Sequence, residues 1–318
     1  MKIAVLGANG RLSHAIATAF LAHGHHVIAV TRNGRCDGLS GSVEYRAADA
    51  MKAEDLIAAT KGADMIFNGL NPPYDKWDGV VMQMARNVMS AAKANAAVHL
   101  FIGNVYNYGK EIGLGMTEES RESPTTEKAR IRIDMEQLFR HSAATDGVKT
   151  IIIRAGDFYG TAKTGSWLDL MIGNKIAKGV FTWPGRYDIK HCFAYLPDLA
   201  DAFVRVAERA GELPAFATFN FEGHTLTGDQ FATICDRIAG RKLQRKFVPW
   251  MLLRLVGTVN PILREVVKMN YLWSTAHSMS GEKLEAFLGQ METTAPQDAI
   301  HQALVDQGFI GGALRKAA

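Results

Sequence analysis

A short apolar run, Ile3-Ala-Val-Leu, ends in Gly7-Ala-Asn-Gly10, and a helical pattern begins at once with Arg11-Leu-Ser13-His-Ala-Ile. Strand, glycine turn and helix in immediate succession form the setting in which a glycine-rich loop holds a dinucleotide. Gly7 can take the tight turn, and Gly10 lets backbone approach a pyrophosphate. The helix that follows offers unpaired N–H groups and the positive end of its dipole to phosphate oxygens. The plainer alternative is an ordinary tight turn between a strand and a helix. On the phosphate reading, the contacts are Gly7, Asn9, Gly10, Arg11 and Leu12.

The first 160 residues alternate strand-like and helix-like stretches. Strands are expected at residues 3–6, 26–31, 43–47, 64–70, 98–102 and 149–154. Helices are expected at 12–22, 54–59, 77–94 and 128–145. Near-continuous apolar strands separated by helices predict a parallel sheet covered on both faces, with right-handed crossovers. After Gly160 the rhythm changes to a Gly-, Trp- and Lys-rich stretch. Residues 197–210 then read as a helix and 217–221 as a late strand, and a mostly helical tail follows. The expected division is a dinucleotide-binding part, residues 1–160 plus about 191–222, and a smaller substrate lobe, about 161–190 plus 223–318. A cleft between them would take the substrate.

Composition excludes several function classes. The chain has 318 residues, 47% hydrophobic and 21% charged, with a formal charge of +4. That mild excess suits anionic small molecules, and no basic run with interleaved aromatics suggests nucleic acid. Cys36, Cys192 and Cys235 lie far apart, which argues against a disulfide framework. The first apolar run stops at Gly7 and no stretch reaches the roughly 18 apolar residues of a membrane span, so a cytoplasmic protein without a membrane partner is expected. Asp37 and Asp55 lack clustered partners, and no metal is expected. The apolar stretch 247–256 could touch a membrane, cover the substrate or meet another subunit. With one arginine and no basic polar face it is a poor interfacial helix, so a core helix of the small lobe or a lid is expected.

Taken in order, these and later motifs resemble the extended short-chain dehydrogenase/reductase group, the NAD(P)-dependent epimerase/dehydratases. Gly7 to Ser13 stands where the family has Gly-x-x-Gly-x-x-Gly, with serine in the third place. Tyr106-Asn-Tyr108-Gly109 is similar to the end of its Ser-Ser-x-x-x-Tyr-Gly segment. Arg154-Ala-Gly156-Asp-Phe-Tyr159-Gly160 is similar to its Arg-Pro-x-x-x-Tyr-Gly strand end. Tyr195-Leu-Pro-Asp198-Leu-Ala-Asp201 matches its His-Val-x-Asp-Leu-Ala segment, and Phe219-Asn-Phe its late strand. The resemblance implies a Rossmann fold, a doubly wound parallel sheet with helices on both faces. It also implies an adenine contact from Asp49 after strand three. Gly69 and Leu70, at the end of strand four, are expected to contact the cofactor.

The catalytic segment departs from the family. Asn104 occupies the place of its active-site serine or threonine. In the long helix, Lys128 and Arg132 stand where the family has the Tyr and Lys of Tyr-x-x-x-Lys. Asn104 could orient a substrate oxygen but cannot relay a proton as a hydroxyl does. Arg132 could hold the nicotinamide ribose. Either Lys128, with its pKa lowered in a dry cleft beside a second cation, or Tyr106 could be the acid. Alternatively, Lys128 and Arg132 form an exposed pair on a solvated helix.

The end of strand two, Val30-Thr31-Arg32-Asn33, carries no acid for a ribose 2′-hydroxyl. Arg32, helped by Arg11, could instead pair with a 2′-phosphate, which favours NADP(H) over NAD(H). Tyr74, after Asn71-Pro72-Pro73, is a candidate substrate contact together with Asn104, Tyr106 and His191. His191 stands where nucleotide-sugar enzymes of the family carry a diphosphate-binding arginine. Lys190, Arg186, Trp167, Trp183 and Tyr187 suggest a cationic, aromatic pocket wall, or simply lobe packing. The leading expectation is an NADP(H)-dependent oxidoreductase or epimerase acting on a carbonyl or alcohol carbon of a small polar substrate. Its rival is a non-catalytic NADP(H)-binding sensor or assembly subunit. The resemblance also suggests a homodimer through the two long helices.

Overall fold

Strand-forming and helix-forming runs alternate through the chain, and the sheet follows from that alternation. The computed structural model describes residues 1–311. Its elements run β1 (Lys2–Leu6), α1 (Arg11–Ala22), β2 (His26–Thr31), β3 (Val43–Ala47), α2 (Ala53–Ala59), β4 (Met65–Asn68), α3 (Val80–Ala94) and β5 (Val98–Asn104). Then come α4 (Glu127–Thr145), β6 (Thr150–Ala155), β7 (Asp157–Tyr159), β8 (Val180–Trp183), β9 (Lys190–Tyr195), α5 (Leu196–Glu208), β10 (Phe216–Asn220) and β11 (His224–Thr227). The last are α6 (Gly228–Ala239), β12 (Gln244–Phe247), α7 (Trp250–Gly257), α8 (Pro261–Lys268), α9 (Glu282–Leu288) and α10 (Pro296–Asp306).

Seven parallel strands form the main sheet in the order β10-β6-β5-β4-β1-β2-β3. The strands are apolar on both faces because both are covered. Ile3 and Val5 pack with Phe20 of α1 and Phe203 of α5, while Ala4 and Leu6 pack with Val88 of α3 and Phe139 of α4. The expected doubly wound Rossmann sheet is therefore present. Strand order reverses between β1 and β4, and an open α/β sheet leaves its binding crevice at that reversal.

The boundaries differ where side chains overrode the pattern. β4 ends at Asn68 rather than residue 70, because Gly69 and Leu70 leave the sheet and line a cleft. Gly79, with φ 67°, delays α3 to Val80, and Trp77 turns into the core instead of opening the helix. The small sheets β11-β9-β7 and β12-β8 were not legible as strands, β9 excepted through its motif. Among the described residues, no helix is long and apolar enough to cross a membrane.

Two histidines make the fold acid-sensitive. His99 lies against the rings of Phe101 and Phe139, and its Nε2 has no hydrogen-bond partner. His277 packs on His191, and its Nε2 is likewise unpartnered. Burial lowers both pKa values to about 3, the His191 charge adding to the effect at His277. The unfolded chain protonates near 6.5, so below that pH it binds more protons than the native state. Stability is thus full above about pH 6.5 and falls as pH drops toward 3, by roughly 1.4 kcal/mol per pH unit for each histidine. Urea unfolding of the wild type and His99→Phe between pH 6.5 and 5 checks this. Burial also lowers the pKa of His224 and His14, which keep their share of the slope. The variant should show a shallower slope than the wild type by the contribution of one histidine, and an identical slope would contradict the assignment.

Candidate active site

The loops after β1 to β4 converge, with Phe101 and Ile102 of β5, on one cleft of about 940 Å3. Its floor is the glycine turn. Gly7 has φ 69°, a left-handed conformation that favours glycine, and its N–H donates to Val30 O over 3.0 Å. Gly10 caps α1, whose first residues Arg11 and Leu12 face the cleft with Asn9. Ser13, in the place of the third family glycine, is buried and donates from Oγ to Leu6 O over 3.0 Å. Its hydroxyl occupies the space that a Cβ on Gly69 would need. The departure at Ser13 is therefore matched by a glycine on the neighbouring strand end.

One side of the cleft carries Arg32, Asn33 and Asp49. Arg32 is exposed at the end of β2. The Asp49 carboxylate accepts from Met51 N over 3.0 Å, which fixes the turn after β3. Arg11 differs from expectation. Its Nη1 donates to Phe158 O in β7 over 3.1 Å, so the guanidinium leans toward β7 rather than toward Arg32. Burial lowers its pKa, opposed by Asp169 and Asp157. Gly69, Leu70, Asn71, Pro72 and Pro73 form the opposite lip, with Phe101, Ile102 and Arg132 beyond them.

Arg132 has an unusual position. It is buried, with its guanidinium 4.9 Å from the Trp77 ring and 5.3 Å from the Phe101 ring. One long bond, Nη1 to Ile102 O at 3.5 Å, is its hydrogen bond among the described residues, and Nε has no partner. Burial lowers its pKa, and Tyr106, Tyr74 and Glu136 act the other way. A buried guanidinium with vacant donors in a cleft is suited to oxygen acceptors from a ligand.

Next to it, the hydroxyls of Tyr106 and Tyr74 share a hydrogen bond of 2.7 Å. Burial raises the pKa of Tyr106 well above its usual value, with Tyr74 and Asp157 adding to the rise and Arg132 opposing it. Tyr74 is raised for the same first reason. Both phenols are protonated near neutrality and able to donate. Asn104 accepts from Tyr106 N through Oδ1 over 2.9 Å, so its amide NH2 is the end left to meet a substrate oxygen.

Two expectations are corrected. Lys128 is neither a solvated surface residue nor an acid poised at the cleft. It is 3% exposed, and Nζ donates to Glu265 over 2.9 Å and to Tyr74 O over 2.7 Å. It opens on a separate small cavity behind Tyr74. A lysine held by a carboxylate and a carbonyl has a structural task there. His191 does not meet the cleft either. It is buried, stacked 3.9 Å from the Trp273 ring, with Nε2 2.8 Å from Asp157 Oδ2 and Nδ1 3.3 Å from Leu272 O. Of the two readings of the aromatics, the structure has the packing one: Trp183 lies among Phe181, Phe193, Phe231 and Trp273, and exposed Arg186 pairs with Asp188.

Two features escaped the sequence reading. Asp157 is partly exposed and held by His191. It stands inside the Arg154 to Gly160 motif, and its position there was the available sign. The spacing Tyr-x-x-x-Lys does occur outside the long helix, as Tyr106 with Lys110 and Tyr159 with Lys163. Neither spans a continuous helical turn, because Gly109 (φ 55°) and Gly160 (φ 95°) interrupt them.

Comparison with known proteins accords with this geometry. The sequence model of the NAD dependent epimerase/dehydratase family matches residues 3–220. No curated protein matches the chain. Among solved structures, a UDP-galactose 4-epimerase is similar at 16% identity and a TM-score of 0.76, over 97% of this chain and 99% of that one. The UDP-N-acetylglucosamine 4-epimerase from Bacillus cereus is similar at 17% identity and 0.74, over 96% and 99%. The UDP-glucuronic acid 4-epimerase from Bacillus cereus, solved with UDP-glucuronic acid and NAD, gives 14% identity and 0.75, over 97% and 99%. At these identities the structures establish the fold, while the family match over most of the chain establishes descent: the chain belongs to the NAD dependent epimerase/dehydratase family and is an enzyme of epimerase/dehydratase type.

Proposed function

We propose that the chain is an NADP(H)-dependent oxidoreductase or epimerase. It acts on a carbonyl or alcohol carbon of a small polar substrate, with Tyr106 as proton donor and Arg132 in the place of the family lysine. The observation that carries this reading is the buried Arg132 guanidinium, which borders the glycine-loop cleft with an unpartnered Nε and lies close to the Tyr106–Tyr74 hydroxyl pair. The residues fit a dinucleotide. Gly7, Asn9, Gly10 and the N-terminus of α1, with Arg11 and Leu12, would hold the pyrophosphate. Asp49 would meet the adenine, Gly69 and Leu70 would border the cofactor, and the Arg132 guanidinium would meet ribose oxygens. The nicotinamide supplies the hydride acceptor or donor when bound.

The chain's own residues handle the proton. The Asn104 amide donates a hydrogen bond to the substrate oxygen. Tyr106 Oη gives that oxygen its proton as negative charge develops, and recovers the proton in the reverse direction. Tyr74 donates to the phenolate left on Tyr106, and the Arg132 cation stabilises it. Asp157, held by His191, keeps a partly exposed carboxylate near the two phenols. On this reading residues 1–160 plus about 191–222 hold the cofactor, and 161–190 plus 223–318 shape the substrate. Residues 312–318 lie outside the described residues. A homodimer through α3 and α4 belongs to the same proposal and is checked by light scattering.

The preference for NADP(H) rests on exposed Arg32 and on the lack of an acid at the end of β2. Arg32→Ala should weaken NADPH binding about tenfold to a hundredfold, the worth of a charge-assisted bond. NADH binding should change by less than about threefold. Fluorescence titration of both cofactors decides it, and equal losses would remove Arg32 from the 2′-phosphate.

A further inference from the structure

Residues 247–256 read in sequence as a core helix or a lid. In the structure only Gly257 of α7 is buried; Trp250 and Leu253 are half-buried, while Met251, Leu252, Leu255 and Val256 stand exposed. Met251 is 84% exposed, Leu255 68% and Val259 83%. Seven of the twelve large apolar side chains that stand exposed among the described residues fall between Phe247 and Ile262. A contiguous patch of this kind marks an interaction surface.

The patch sits on a fixed base. Trp250 Nε1 donates to Pro184 O over 2.5 Å, and Glu265 in α8 accepts from Lys128 and Lys268. Gly257 lets α7 approach the backbone of Arg264, closing the hairpin with α8. These anchors hold the inner face and leave the outer face without a partner among the described residues.

We propose that the α7–α8 hairpin, with the end of β12, docks on an anionic membrane surface. Charge selects the occupant. Residues 241–268 contain seven lysines and arginines against one glutamate; Lys268 pairs with that glutamate and Arg245 with Asp236. Lys242, Lys246, Arg254 and Arg264 are exposed on this segment. Apolar side chains among cations match the boundary between acyl chains and anionic headgroups. A second copy docked face to face would oppose like charges across a twofold axis. Nucleic acid would match the cations but not Met251, Leu255 and Val259. The stretch 247–256 alone holds one arginine, and folding supplies the other cations from β12, α8 and the turn before β12.

The test is cosedimentation of the full-length protein with phosphatidylcholine vesicles, with and without phosphatidylglycerol, at low and high salt. The wild type should bind the phosphatidylglycerol vesicles at low salt, release at high salt and leave pure phosphatidylcholine largely unbound. Met251→Asp with Leu255→Asp should lower partition at least about tenfold, the scale of two buried apolar side chains lost, with NADPH affinity unchanged as the check on folding. No partition of the wild type, or equal partition of the double variant, would overturn the proposal. So would a wild-type dimer that the double variant dissolves without any vesicle binding, which would assign the face to a second copy.

Discussion

Replacing Tyr106 with phenylalanine should slow turnover by about 10²- to 10⁴-fold, the usual contribution of a positioned proton donor, while NADPH affinity changes little. The ring keeps its packing and loses only the hydroxyl that meets Tyr74 Oη. Lys128→Met behaves differently. It leaves Glu265 without its buried partner and loosens the α8 contact, yet the proton donor stays in place. Its main effect should be on stability, with kcat within about tenfold of wild type at a temperature where it is folded. A panel of aldehydes, ketones and nucleotide sugars, followed by NADPH absorbance and by product analysis for epimers, supplies the measurement. Full activity in Tyr106→Phe together with loss in Lys128→Met at intact fold would transfer the acid role to the lysine.

The second large effect lies beneath the site. Arg154 is buried, with Nη2 2.5 Å from Glu136 and 3.0 Å from Glu122, and Nη1 donating to Tyr108 Oη over 3.1 Å. Asn107 donates to both glutamates. Burial works against the Arg154 charge, but Glu136 outweighs it and raises the pKa. Glu136→Ala strands that cation and should cost about 3–5 kcal/mol, read from urea unfolding at neutral pH. A loss below about 1 kcal/mol would show that Glu122 and Tyr108 satisfy Arg154 alone. The network explains two of the family motifs in physical terms. Tyr108 and Arg154 lock the end of β5 to β6, and this fixes the turn that carries Asn104 and Tyr106.

Much of the main sheet was legible because its strands are short apolar runs between helices and glycine turns. Gly7 and Gly10 were readable because a local turn carries its own chemistry. The catalytic side was less readable because its roles depend on contacts distant in sequence. Lys128 is defined by Glu265, 137 positions away, and His191 by Asp157 and Leu272. Ser13 looked like a simple departure until Gly69 was seen to make room for it. The α7 stretch misled for a related reason: its near-continuous apolar run suits a buried helix, and only the packing of α8 shows which face remains outside.

A crystal structure with bound NADPH tests the central claim most directly. The account predicts Tyr106 Oη within hydrogen-bond reach of the space above nicotinamide C4, Arg132 on the nicotinamide ribose, and Arg32 on the 2′-phosphate. A nicotinamide seated away from Tyr106, with Arg132 still turned to Ile102 and no ribose contact, would contradict it.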